Sequence, residues 1–206
     1  TAVTINSSDV LAKLALGNLT IAASGINVNA NVNFATNTNG ITFKASGNIV
    51  VDAAKTITTN GGDITLWSDS DNNGAGGIKI DDNATLDSRT QADRTANTNT
   101  TGGGKITLAG GLDDAGVASG VGNLTSGLTA TDGYPDGYAV NSGSTITQTG
   151  IVLGTSTAAT GHNSNINILS GSGDIRLHGL VTNNSSNPNN GPTGLLFYHG
   201  YNINAG

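Results

Sequence analysis

One short phrase recurs along the chain and limits its fold more than any other feature: a Gly or Asn, then two aliphatic or β-branched residues one apart. It reads Gly17-Asn18-Leu19-Thr20-Ile21, Gly25-Ile26-Asn27-Val28, Gly40-Ile41-Thr42-Phe43, Gly47-Asn48-Ile49-Val50-Val51, Gly62-Asp63-Ile64-Thr65-Leu66 and Gly77-Ile78-Lys79-Ile80. It returns as Gly104-Lys105-Ile106-Thr107-Leu108, Asn165-Ile166-Asn167-Ile168, Gly173-Asp174-Ile175-Arg176-Leu177 and Asn202-Ile203-Asn204. Alternation with period 2 is the mark of a strand with one buried face. Turn chemistry stands in front of each.

Spacing converts strands into an architecture. Leu19 to Ile41 is 22 residues, while Ile41 to Ile64 and Ile26 to Ile49 are each 23. A fixed period of roughly 20 to 50 residues marks stacked units that bury a core only through their neighbours. Short strands at this period predict an all-β parallel solenoid of about three strands per coil, in which equivalent Ile, Leu and Val stack about 4.8 Å apart. The inward set is Leu19, Ile21, Ile41, Phe43, Ile49, Val51, Ile64 and Leu66. Asn, Ser and Thr at the turns can stack likewise and exchange side-chain hydrogen bonds. At this spacing the whole chain would make roughly seven to nine coils, about 35 to 40 Å long.

Composition agrees. The 14 acidic residues are all Asp, Met and Cys are absent, and Gly contributes 31 of 206 residues. Without Glu and Met, a mainly helical chain is excluded. Absence of Cys excludes disulfides, thiol catalysis and Cys-bound zinc. A net charge of -6 argues against nucleic-acid binding, which needs Lys and Arg facing phosphates. No apolar run approaches the roughly 20 residues of a membrane span, so no membrane insertion is expected.

Three stretches leave the period and read as loop excursions: about 81–103, 110–144 and 183–194, the last carrying Pro188 and Pro192. At the start, Ser7-Ser8-Asp9 before Val10 to Leu16 and then Gly17 predicts N-cap residues, one or two helical turns and a Gly stop. The chain reads as one domain, 1–206, belonging to a longer protein.

The helical element and the phrases through Asp71 resemble the filamentous haemagglutinin-type exoproteins, large bacterial adhesins exported by two-partner secretion. The likeness spans about residues 5 to 110 and is looser beyond. It implies a right-handed parallel β-helix, export across the outer membrane and a secreted or cell-surface location. The secretion-domain motifs of that family are not evident, so the resemblance is to an internal segment.

Chemical candidates are few. Asp69-Ser70-Asp71-Asn72-Asn73-Gly74 matches the first half of an EF-hand loop, making Asp69, Asp71 and Asn73 calcium candidates. The bidentate Glu expected at the twelfth position would fall on Ile80, and the same residues read as an Asp/Asn turn. His162, His178 and His199 lie in or beside different repeats without metal-site spacing and are expected to face solvent. Parallel β-helices also host polysaccharide lyases and hydrolases, which need paired carboxylates or a bound metal beside a base. Asp63 and Asp174 occupy turn positions of the repeat, and adjacent Asp81 and Asp82 point to opposite faces of a strand. Phe34 and Phe43 are expected to fill the core, and Phe197, Tyr198 and Tyr201 to pack a coil edge. Thr56-Ile57-Thr58 and Thr145-Ile146-Thr147 resemble ice-binding rows but do not recur at the coil period.

The sequence therefore predicts a non-catalytic adhesin or extracellular fibre segment without a cofactor, calcium being the one candidate. Its expected partners are further solenoid of its own kind and host or matrix glycans and proteins. The alternative is a β-helix that binds or degrades polysaccharide.

Overall fold

A computed structural model describes residues 2–4, 7–34, 36–113, 133–140, 149–155, 163–180, 193–198 and 200–205. The chain begins with β1 (Ala2–Thr4) and α1 (Ser7–Leu14), then runs in rounds. The first round is β2 (Leu19–Ala23), β3 (Gly25–Val28) and β4 (Val32–Asn33); the second is β5 (Ile41–Ala45), β6 (Ile49–Val51) and β7 (Thr56–Thr58). The third holds β8 (Ile64–Ser68), β9 (Ile78–Ile80) and β10 (Thr85–Asp87), followed by α2 (Gln91–Ala96). The fourth holds β11 (Ile106–Gly110), β12 (Ala139–Val140), β13 (Thr149–Leu153) and β14 (Ile166–Gly171). The fifth holds β15 (Ile175–Leu177), β16 (Gly179–Leu180), β17 (Thr193–Phe197) and β18 (Tyr201–Ala205).

Successive rounds build three parallel sheets. The first stacks β2, β5, β8, β11 and β15; the second β1, β3, β6, β9, β13 and β17; the third β4, β7, β10, β14 and β18. A small parallel pair, β12 with β16, belongs to the fourth and fifth rounds. This pattern is consistent with a parallel β-solenoid.

Register follows the apolar phrases. In the first sheet Leu19, Ile41, Ile64, Ile106 and Ile175 are partners in one column. The second sheet aligns Ile26, Ile49, Ile78, Ile151 and Leu195, and the third aligns Val32, Ile57, Leu86, Ile168 and Ile203. All three sheets contribute to one apolar cluster, with Phe43 and Leu66 at its centre and Leu19, Ile21, Ile175, Leu195 and Ile203 partly buried at its ends. Burying each such side chain contributes about 1.5 to 3 kcal/mol, so small residues elsewhere do not prevent folding.

Two devices hold the rounds in register outside the core. At the turns, an Asn or Asp side chain accepts an amide hydrogen bond from the next round. Asn18 Oδ1 accepts from Gly40 N–H at 2.8 Å, Asn48 Oδ1 from Gly77 N–H at 2.9 Å, and Asp63 Oδ1 from Lys105 N–H at 2.6 Å. Asn31 Oδ1 does the same for Thr56 N–H at 3.1 Å. Two residues before β8, β11 and β15 stand Gly62, Gly104 and Gly173. A β-carbon on Gly104 would lie 2.3 Å from the Gly62 carbonyl, and one on Gly173 would lie 2.2 Å from Gly104 O. Stacked backbones fill the place of a side chain there, so only Gly fits.

Several expectations need correction. Among the described residues five rounds are stacked, against the expected seven to nine, because equivalent strands move apart: Ile64 to Ile106 is 42 residues and Ile106 to Ile175 is 69. The stretch 81–103 is not all excursion, since Thr85, Leu86 and Asp87 pair with Thr56, Ile57 and Thr58. What leaves the rounds there is a built insertion. Asp87 and Arg89 form a buried ion pair at 2.7 Å, and Thr90 Oγ1 caps α2 by accepting from Asp93 N–H at 3.2 Å. The buried Asp93 carboxylate accepts from the Thr98 hydroxyl and from the Thr100 and Thr101 amides. At the start, α1 begins at Ser7, so Ser7, Ser8 and Asp9 fall within the helix instead of preceding it, and the helix ends at Leu14, leaving Leu16 exposed. Val10 and Leu14, one turn apart, are the residues that α1 buries. Most of the 110–144 and 183–194 stretches, with Thr145-Ile146-Thr147, His162 and His199, lies outside the described residues. No helix among the described residues is long and apolar enough to cross a membrane.

Candidate functional site

The EF-hand-like residues form a self-contained turn. Asp69 has φ 47°, and its Oδ1 accepts from the amides of Gly74 at 3.1 Å and Ala75 at 3.3 Å. Asn73 Nδ2 donates to Asp71 Oδ2 at 2.9 Å, so the pair satisfies itself. Burial raises the Asp69 pKa, against the amides of Ala75, Gly74 and Asn73 that lower it. The turn connects β8 to β9, as an Asp/Asn turn would. Among the described residues no three His, Cys, Asp or Glu gather to hold a metal ion.

Three of the four carboxylates weighed for catalysis have partners. Asp81 pairs with Lys79 at 2.9 Å, Asp82 accepts from Thr155 N–H at 3.0 Å, and Asp63 bridges to Lys105 and Tyr134. His178 is half-buried rather than facing solvent. Burial, with Arg176 adding to it, lowers its pKa, and its ring lies 6.3 Å from that of Tyr138. Phe34 and Phe43 are buried in the core as expected. Phe197 and Tyr201, on the outermost β17 and β18, pack 5.0 Å apart.

Sequence reasoning missed a groove along the first sheet. Thr20, Thr42, Thr65 and Thr107 are register partners on the first sheet. Each lies between two residues of the apolar cluster and so points away from it, open to solvent at Thr20 and Thr42 and covered at Thr65 and Thr107. Thr20, Thr42 and Thr65, with Thr38, Asp63 and Tyr134, line a groove of about 370 Å³. It deepens along the row: Thr20 is exposed, Thr42 half-buried and Thr65 only 2% exposed.

Tyr134 walls the deep end and is held from two sides. Its hydroxyl donates to Asp63 Oδ2, and Lys105 Nζ lies 4.1 Å from its ring centroid. Asp63 reaches Tyr134 with one oxygen and the Lys105 amide with the other, so the turn that locks two rounds together also fixes the aromatic wall. On the same sheet Trp67 is buried, its Nε1 donating to Gly111 O at 2.6 Å and Lys44 Nζ lying 3.6 Å from its ring centroid. The Thr row could have been found as the residue between the two apolar positions of each phrase. Tyr134, 71 residues from Asp63, left no such signal.

Comparison with known protein families, with curated proteins and with solved structures finds no match to the chain. The likeness to haemagglutinin-type exoproteins therefore rests on the repeat phrases alone.

Proposed function

We propose that the chain is a non-catalytic segment of a bacterial cell-surface or secreted adhesin, a right-handed parallel β-helix serving as scaffold and attachment surface. One observation carries this reading: five rounds locked in register present long, rigid outer faces. Those faces carry Thr20 and Thr42 on the first sheet and the Asn167 and Asn202 partners on the third. Such a surface suits attachment, because rigid groups lose little entropy when they engage a partner. The repeat phrases and their haemagglutinin-type likeness point the same way and supply the location.

Association with more solenoid is part of the proposal. β15, β17 and β18 stand last in their sheets, and Ile175, Leu177, Leu195, Phe197 and Ile203 beneath them are only partly buried. Edge strands with apolar side chains favour pairing with further strands. At the opposite end α1 packs Val10 and Leu14 against the core.

Latex beads carrying the chain should be retained on epithelial monolayers or biofilm matrix above albumin-coated beads. Equal retention would refute the adhesive role. Release of reducing or unsaturated sugar ends from acidic polysaccharides, with calcium present, would refute the non-catalytic one. Light scattering that shows only monomer at high concentration would remove the self-association.

A further inference from the structure

We propose that the Thr20–Thr42–Thr65 groove walled by Tyr134 binds a short stretch of neutral polysaccharide; this rests on the adhesive reading and names its ligand class. A volume of about 370 Å³ falls within the range of pockets that enclose small ligands. The lining is hydroxyl-rich, and a Thr hydroxyl both donates and accepts, as a sugar hydroxyl does. Two open ones, Thr20 and Thr42, sit on adjacent strands of one sheet with the nearly covered Thr65 at the floor beyond them, so their mutual spacing is fixed by backbone pairing at about 4.8 Å. The ligand meets a preformed row and orders no loop to form it.

Tyr134 adds the second component of a saccharide site, an aromatic ring with a polar tip beside hydrogen-bonding groups. Its double anchoring, by Asp63 at the hydroxyl and Lys105 at the ring, is the supporting shell that a binding geometry needs. Asp63 is thus a positioning residue. Charge selects a neutral ligand. The lining includes the Asp63 carboxylate and no Lys or Arg, and the Lys105 ammonium is engaged with the Tyr134 ring. An anionic sugar would meet a carboxylate there and lose solvation without a counter-charge.

The test is amide-resolved NMR titration of the whole chain with cellohexaose, chitohexaose, maltohexaose and laminarihexaose, each to about 5 mM, since unoptimised saccharide sites bind near the millimolar range. At least one should shift the amides of Thr20, Thr42, Thr65, Gly61 and Gly62. Tyr134→Ala should weaken binding about tenfold, the factor expected of a lost aromatic contact. Thr42→Val, close in shape, should weaken it about fivefold through one lost hydrogen bond. Circular dichroism must match the parent for both variants, and Thr42→Val keeps the test valid if Tyr134→Ala disturbs its segment. The assignment is overturned if no saccharide moves these amides, if the shifts map elsewhere, or if neither folded variant weakens binding. Beads that adhere equally with Tyr134→Ala would remove the groove and leave adhesion standing. Saccharide binding at the groove by a chain that retains no beads would do the reverse.

Discussion

Replacing Ile64 with Ala should cost far more than replacing Ile175 with Ala, although both stand in the same column and in the same phrase. Ile64 is fully buried, with Ile41 as partner on one side and Ile106 on the other. Removing three carbons forfeits about 2.4 kcal/mol of transfer free energy at about 0.8 kcal/mol each. The cavity adds to this, because neighbours clamped by parallel pairing on both sides cannot close over it, giving about 3 to 4 kcal/mol in total. Among the described residues Ile175 has its one register partner in Ile106, and it is partly buried; there the transfer loss is partial and the edge can relax, so about 1 kcal/mol is expected. Urea denaturation followed by Trp67 emission reports directly on the first sheet, since this single Trp lies buried on β8. Comparable m-values would show that stability, not the extent of unfolding, had changed. Costs equal to within about 0.5 kcal/mol, or below about 1 kcal/mol at Ile64, would refute a core built by stacking between rounds.

Four further outcomes follow from the same geometry. Gly104→Ala places a carbon 2.3 Å from the Gly62 carbonyl and should cost about 3 kcal/mol or more, whereas Gly17→Ala meets nothing within 4 Å and should change stability by less than about 0.5 kcal/mol in the same urea titration. Arg89→Met strands the buried Asp87 carboxylate and should cost about 3 to 5 kcal/mol, while the double change with Asp87→Asn should recover much of it, as a double-mutant cycle would measure. Burial alone would raise the Asp93 pKa, yet hydrogen bonds from Thr98, Thr101 and Thr100 hold it down from 3.8 to about 2. Its contribution is therefore present above pH 3.8 and lost as pH falls through about 2, so exchange of the Thr100 and Thr101 amides should accelerate across that window, and Asp93→Asn should abolish the dependence. Removing calcium with chelator should move Tm by less than about 1 °C, because the Asp69 oxygen already serves the amides of its own turn.

The architecture was readable where one residue type does one job. Ile41, Ile64 and Ile106 occupy the same place in the same phrase, so alternation and spacing fix both the face and the column. The parts that escaped are those where packing between rounds, not local preference, makes the strand. Val32–Asn33 and Ala139–Val140 are two-residue strands, too short to show a period, and Thr85–Asp87 sits in a polar stretch with only Leu86 facing inward. The number of rounds is hidden in the sequence for a related reason. An insertion leaves and rejoins the stack at the same place, so it lengthens the sequence without adding a layer. The groove was half readable: its threonines follow the repeat, but the aromatic wall arrives from a different round through the Asp63 contact.

The widening intervals between equivalent strands also set an order of assembly. Bringing Leu19, Ile41 and Ile64 into register closes loops of 22 and 23 residues, whereas joining Ile175 to Ile106 closes one of 69. Tripling the loop adds about 1 kcal/mol of closure entropy to that step. The early rounds therefore meet first and form the nucleus, offering a finished strand edge on which each later round is laid. A chain delivered N-terminus first would find its template ready before its long insertions arrive, and misplacing one of them would delay the last layers without undoing the first.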